Sequence, residues 1–418
     1  MRGLAGRLSW GLGDQAVSSM TNFAVGLVVA RELGVAGFGV FSLAWVTYGV
    51  LLNVSRGLAT DPLVVRFSGV PADRWRTATA RAAGTAVAVG TAFGVLSVAA
   101  GLAIGDELGM AFVALGVVAP AMLLQDSWRF AFFAAGRGQH ALVNDVVWAA
   151  AMVPALLLAA GHGGVWAFVL AWGGSSLLGA GCGWLQSGIT PRLGGVLEWL
   201  RHHRELGSRY LVENVSNSGA SQLRMYGLGA IAGLSEVGAL RGAELLLGPF
   251  LALLMGVNLV AVPEAARVLR RAPHRLARFC LLLGGGQAVA AAAWGVLLLF
   301  AVPDALGRLA LDDVWGPASE LIVPVTLSVT GAGVVAGATA GLRALGAARR
   351  SLRAQLIASA GYLGAGLAGA FAAGAEGASW GSAVAMWCGA AVWWWQLRAA
   401  LRAHHPEPRT ENLTGVTT

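Results

Sequence analysis

Lysine is absent from this 418-residue chain, so all 29 residues counted as Lys or Arg are arginine. Its absence excludes a Walker A phosphate loop, whose lysine lies on the phosphates, and any enzyme that works through a Schiff base. ATP-driven work by this chain alone is excluded with it. Cysteine is nearly absent: Cys182, Cys280 and Cys388 stand singly in apolar runs, with no C-x-x-C pair and no disulfide framework. They read as small, polarizable core residues. Charge is scarce as well, at 12% of residues. His202-His203 and His404-His405 are adjacent pairs in polar segments; adjacent residues do not share a helical face, so they read as solvated loop histidines rather than metal ligands. Serine is plentiful, but no G-x-S-x-G nucleophile motif is expected. Neither an enzyme, a cofactor nor a metal site is anticipated.

Apolar residues fill the space left by charge. They make up 56% of the chain, and mean hydropathy is +0.67. The runs 82–104, 151–187 and 281–303 are long enough to cross a bilayer core, which takes about 20 apolar residues per helix. None alternates with the two-residue period of a membrane β-barrel. The expected fold is therefore an all-α polytopic membrane protein of twelve transmembrane helices, near 9–30, 38–58, 80–104, 108–136, 140–161, 164–187, 208–231, 237–262, 276–302, 316–343, 350–374 and 378–399. The net charge of +8 belongs to helix ends beside anionic lipid and gives no reason to expect nucleic acid as a partner. The first run carries Asp14, Gln15 and Asn22, so it reads as a retained helix rather than a cleaved signal.

The arginines gather in every second gap between these runs: Arg2 and Arg7; Arg66, Arg74, Arg76 and Arg81; Arg137; Arg192, Arg201, Arg204 and Arg209; Arg267 to Arg278; Arg343 to Arg353; Arg398, Arg402 and Arg409. Asp106-Glu107 and the stretch from Asp304 to Glu320 make two of the alternate gaps acidic. The positive-inside rule then places both termini in the cytoplasm. The polar stretch 188–207 reads as a cytoplasmic linker, with Trp199 and Leu200 on an amphipathic surface helix. It divides the chain into a six-helix bundle over 1–187 and a second over 208–400, followed by a disordered tail over 401–418. The halves echo each other: Asp14 and Glu213 fall early in the first helix of each, Gly39 and Gly238 open the second, and Pro-x-x-x-Arg recurs as Pro62/Arg66 and Pro263/Arg267. Both halves start inside, so the repeat is parallel, as in alternating-access transporters. Trp393, Trp394 and Trp395, with Trp10, Trp75 and Trp199, read as interfacial anchors.

Charges inside the spans are expensive and face a cavity or a partner. They are Asp14, Asp126, Arg129 and Asp145 in the first half, and Glu213, Arg224, Glu244 and Glu264 in the second. Asp126 and Arg129 are three apart and share a helical face, so they can pair. Arg224 and Glu244 fall at similar depth on antiparallel neighbours and can meet as well. Such pairs either fix helix packing or line a hydrophilic path. In the second reading Arg129, Arg224, Asp126, Asn22 and Gln125 bind substrate. Asp14, Glu213, Glu244 and Asp145 then serve coupling, by taking up ions or protons.

The stretch from Met20 to Ala44 resembles the N-terminal signature of polysaccharide flippases, the Wzx-type O-antigen and teichoic-acid exporters of the multidrug/oligosaccharidyl-lipid/polysaccharide exporter superfamily. There an A-R-x-L-G element ends the first helix and F-G-x-[FY] starts the second. The matching positions here are Ala30, Arg31, Leu33, Gly34, Phe38, Gly39 and Phe41. The local match covers about the first 70 residues. The resemblance implies flipping of a glycan linked to undecaprenyl pyrophosphate across the bacterial plasma membrane. It implies membrane lipids, and glycosyltransferases or a polymerase, as further partners. Two other readings stay open: a cation-coupled multidrug efflux antiporter, and a non-transporting partner of glycan-assembly enzymes.

Overall fold

A computed structural model describes residues 2–404, leaving out the side chains of 2–9, 11, 12, 213, 215–217, 252, 253, 255, 256 and 258–260. Among the described residues there is no strand. Eight helical stretches are long and apolar enough to cross a membrane. Two of these hold two crossings each, because the backbone leaves helical geometry at Gly34 (φ 64°) and at Ala373–Gly374 (Gly374 φ 55°). These left-handed conformations cost a side chain dearly, which is why glycine stands there.

The crossings are α1 (2–33), α2 (35–67), α3 (Ala72–Ile104), α4 (Glu107–Ala134), α5 (Gly138–Ala160) and α6 (Val165–Ser187). After the short helix Val196–His202 come α7 (Arg204–Ala232) and α8 (Leu234–Arg271), two long helices outside those eight apolar stretches that complete the twelve, and then α9 (Leu276–Ala301). Then follow two short helices, Asp304–Leu311 and Trp315–Glu320, and finally α10 (Ile322–Ala344), α11 (348–372) and α12 (375–403). The twelve-helix, all-α architecture agrees with expectation.

Several helices outrun the apolar stretches that announced them. α3 starts at Ala72 rather than 80, α8 ends at Arg271 rather than 262, and α12 runs to Ala403, into what reads as tail. Hydropathy marks the lipid-embedded part, whereas arginine is a good helix former and carries the backbone ladder on into the headgroups. His405 and the rest of the tail lie outside the described residues.

Packing forms two groups. In the first, α3 runs along α4, and α4 packs on α5 and α6. In the second, α9 runs along α10 and α7 lies against the α11–α12 hairpin. Trp387 and Trp394 donate from α12 to the carbonyls of Leu327 and Val334 on α10. Three tryptophans expected at the interface are core instead. Trp75 donates to Ala131 O (3.1 Å), Trp199 donates to Leu58 O (3.0 Å), and Trp393 is 3% exposed. Trp10 and Trp395 are exposed, as anchors should be. A buried indole N–H gains from a partner: Trp75 finds it in the last turn of α4, and Trp199 in the π-helical turn Arg56–Thr60.

His203 is likewise no solvated loop residue. It is buried against Trp199, 4.0 Å between ring centroids, with Nδ1 on Trp199 O. Burial lowers its pKa below the ordinary 6.5, and the charges of Arg66, His202 and Arg81 push the same way, against the carbonyl contact. The folded linker therefore holds His203 neutral while the unfolded chain protonates it near 6.5. Its contribution to stability is complete above that pH and is lost as pH falls below it. The unfolding midpoint should drop between pH 7.5 and 5.5 in the native protein, and drop less in His203→Gln.

The two groups meet at one end. A Cβ on Gly39 of α2 would lie 1.9 Å from Leu234 O, and one on Gly238 of α8 would lie 1.9 Å from Val35 O. Arg31 crosses to Leu309 O (3.1 Å) beside this contact. Only Arg31 and Arg308 mark this end, whereas Glu32, Asp106, Glu107, Asp304, Asp312, Asp313 and Glu320 cluster at its helix termini. The other arginine clusters occupy the opposite end. Gly39→Val must part α2 and α8 by at least about 1 Å, since carbon and oxygen cannot approach so closely. Spin labels at 32 and 320 should then report a longer distance by double electron–electron resonance; an unchanged distribution contradicts the packing described.

Candidate functional site

Between the groups lie two adjoining chambers of about 500 and 610 Å³, both lined by Gln15, Asn22 and Trp45. A polar seam also joins α2 to α7 across the groups. Thr47 Oγ1 and Tyr226 OH are 2.6 Å apart, Asn53 donates to Ser218 (2.8 Å), and Asn214 donates to Asp61 (2.9 Å). The Trp45 indole stacks on Trp172 (4.6 Å, 6° between planes) on one side and lies beneath Arg241 (5.8 Å) on the other. One aromatic pair thus partitions the cavity and carries a cation on its far face.

The larger chamber belongs mainly to the first group. Arg56 grips Asp126 with two bonds, Nη2–Oδ1 at 2.7 Å and Nε–Oδ2 at 3.1 Å, and its guanidinium lies over Phe130 at 4.9 Å. Arg129 reaches Asp14 Oδ2 from Nε at 2.7 Å and Asp145 Oδ2 at 3.4 Å. Gln125 donates to Asp145 (2.8 Å) and Asn144 (2.9 Å), and Asn144 donates to Gly179 O (2.5 Å). Three aspartates thus face two arginines within this group, and Asp14 Oδ1 is buried with no hydrogen-bond partner among the described residues. Arg343 of α10 also lines this chamber, with no ion-pair partner among the described residues.

The smaller chamber belongs mainly to the second group. Arg224, 2% exposed, donates from Nη2 to Glu244 Oε1 at 2.7 Å and lies over Tyr362 at 5.1 Å. Arg241 reaches the other oxygen of Glu244 at 3.2 Å, so two guanidinia share one carboxylate. Arg224 Nε has no hydrogen-bond partner among the described residues. Across both chambers five arginines (56, 129, 224, 241, 343) face four carboxylates (14, 126, 145, 244).

Of the residues picked from sequence, Asn22, Gln125, Asp126 and Arg129 meet in one chamber and Arg224 with Glu244 in the other. Asp14 and Asp145 stand behind Arg129. The Arg224–Glu244 approach at equal depth is present. The Asp126–Arg129 pair is not: Asp126 pairs with Arg56, and Arg129 turns to α1 and α5. A three-residue separation on one helix permits contact, but a bidentate partner on another helix binds better. Glu264 lies outside the chambers, paired with Arg267 on the surface. The side chain of Glu213 lies outside the described residues. Arg56, Arg241 and Arg343 escaped notice. Arg56 sits at a π-helical turn, Arg56–Thr60, that widens α2 by one residue and swings it inward. Arg241 is foretold only by its spacing of three from Glu244, and Arg343 reads as a loop charge.

Contrary to expectation, the chain does contain a G-x-S-x-G string, Gly377-Ala378-Ser379-Trp380-Gly381, the spelling of a nucleophile elbow. It lies inside α12, where Gly377 and Gly381 give room to the carbonyls of Gly369 and Ala365 on α11, and Ser379 is buried. A nucleophile elbow needs a strained strand-to-helix turn, so this string is a packing seam. Among the described residues no three His, Cys, Asp or Glu gather as metal ligands.

No family model matches the chain, and no curated protein matches it. Solved structures do. An inward-facing multidrug resistance MATE family transporter of the MOP superfamily aligns with a TM-score of 0.71 at 15% identity, over 94% of this chain and 96% of that one. The chain has the fold of the MOP superfamily transporters. The outward-facing conformation of a MATE family transporter aligns less closely, with a TM-score of 0.56 at 16% identity over 95% of each chain. The lipid II flippase MurJ, in an inward closed conformation, gives 0.63 at 12% identity over 93% of this chain and 88% of that one. The eight stretches long and apolar enough to cross a membrane agree with this fold and make the chain a multi-pass membrane protein.

The bidentate pair gives a direct test of the chamber. Arg56→Met leaves Asp126 buried and unpaired, and should destabilise by about 3–5 kcal/mol. Arg56→Met/Asp126→Leu should recover most of that loss. Unfolding by titrated denaturing detergent distinguishes the two; equal losses in the single and double variants would refute a compensated buried pair.

Proposed function

We propose that this protein is an alternating-access transporter that flips a lipid-linked oligosaccharide or polysaccharide precursor, of the undecaprenyl-pyrophosphate type, across the bacterial plasma membrane. The moving units are the six-helix groups of 1–187 and 208–400, joined by the linker 188–207. The arginine-rich end, with both termini, faces the cytoplasm. The chambers then open inward, since Gly39 and Gly238 seal the other end. The closer likeness to the inward-facing MATE conformation supports this state.

One observation carries the cargo assignment: the cavity's guanidinia outnumber its carboxylates, and the excess is concentrated where Arg224 and Arg241 share Glu244. Arg129 is already held by Asp14 and Asp145, so the anion falls to Arg224 and Arg241, whose planar donors match pyrophosphate oxygens. Asn22 and Gln125 offer amides toward sugars. Asp14, Asp145 and Asp126 supply the coupling site: Asp14 and Asp145 share Arg129, so one of the two can hold a proton or cation. Without Walker chemistry, the driving force is an ion gradient, the membrane potential or the substrate gradient. The sharing of Arg129 by two aspartates favours a second reading, cation-coupled efflux of cationic compounds.

In proteoliposomes, Arg224→Ala/Arg241→Ala should slow leaflet transfer of a fluorescent lipid-linked oligosaccharide by roughly 10–100-fold, the loss of a charged hydrogen-bonding contact. Unchanged transfer in that variant overturns the anionic-cargo assignment. Ethidium efflux by the native protein, abolished in Asp14→Asn, supports the second reading instead.

A further inference from the structure

Away from the central chambers, the turn from α8 into α9 encloses a slot of about 760 Å³ at the arginine-rich end. Arg267, Arg271, Arg275 and Arg278 line it, with Phe279 and Leu282 completing the wall. Glu264 is the one acidic residue in the lining, and it is paired with Arg267. Arg271, Arg275 and Arg278 have no ion-pair partner among the described residues. Three uncompensated guanidinia on one short turn repel each other unless an anion lies among them.

The apolar wall identifies which anion. Leu281 and Leu282 are 57% and 67% exposed on the first turns of α9, a helix that goes on to cross the bilayer. A soluble anion would use the charges and leave these leucines in water. A phospholipid uses both, with its phosphodiester on the arginines and its acyl chains along the leucines.

We propose that this slot binds the headgroup of an anionic phospholipid from the surrounding bilayer. Arg271, Arg275 and Arg278 hold the phosphodiester, while Phe279 and Leu282 take the first methylenes of the chains. The slot shares no lining residue with either chamber. It fastens the far end of α8, whose opposite end crosses α2 at Gly238. Lipid composition thereby acts on a helix that lines the cavity.

Native mass spectrometry of the full chain, purified in mild detergent with phosphatidylglycerol and phosphatidylcholine in equal amounts, tests the site. Phosphatidylglycerol should be retained in preference. Arg271→Gln/Arg275→Gln should weaken its retention by about thirtyfold with an unchanged unfolding midpoint. Arg349→Gln/Arg353→Gln, removing equal charge from exposed positions at the same end, should stay within about twofold of native. Equal retention of the two lipids, an equal loss in the second variant, or displacement of the lipid by millimolar inorganic phosphate would each overturn the proposal.

Discussion

Everything in this molecule hangs from the place where α2 and α8 touch backbone to backbone. At Gly39 and Gly238 neither helix has a side chain, and each presents a carbonyl where the other's Cβ would stand. Small residues are what allow helices to approach in a bilayer, where apolar lipid gives no hydrophobic push toward contact. From this crossing the helices diverge. Two turns along α2, Trp45 reaches the space between the groups, and Arg241 of α8 lies over its ring. The chambers begin where the glycines end.

The charges in those chambers follow a strict economy. A lone ion in a membrane interior is costly, and each carboxylate here has at least one guanidinium within 3.4 Å. The pairs are unequal, however. Asp126 has a private bidentate arginine, Asp14 and Asp145 share one, and Arg224 and Arg241 share a single glutamate. Sharing leaves lone pairs on one side and N–H groups on the other incompletely satisfied. Those are the positions at which a cation or an anion gains most by binding. In the proposed transporter, packing and binding draw on the same side chains, so the distinction between a structural ion pair and a binding site is one of degree.

The paired halves give the economy its asymmetry. Gly39 and Gly238, which sequence spacing places at matching positions, lie against each other where the two groups meet. Deeper in, equivalence lapses: the first group concentrates acid and the second concentrates base. A cavity with opposite polarity on its two walls can address two ligands of opposite charge.

Residue order by itself determined the class of fold, the number of crossings and the sorting of arginine and acid to opposite ends. Hydropathy and charge are properties each residue carries alone, and a bilayer reads them one at a time. Gly39 and Gly238 were legible as matching positions that open the second helix of each half, and Arg224 with Glu244 as a pair that can meet. Only tertiary structure decided partners. Whether Asp126 meets Arg129 on its own helix or Arg56 across a gap depends on rotations of about 100° per residue and on one π-turn that shifts the phase of α2. The same rotations buried Trp75, Trp199 and His203, which read as surface, and brought Arg241 and Arg343 to the cavity. Composition reports how many charges a membrane protein must hide; the angular setting of its helices decides which of them meet.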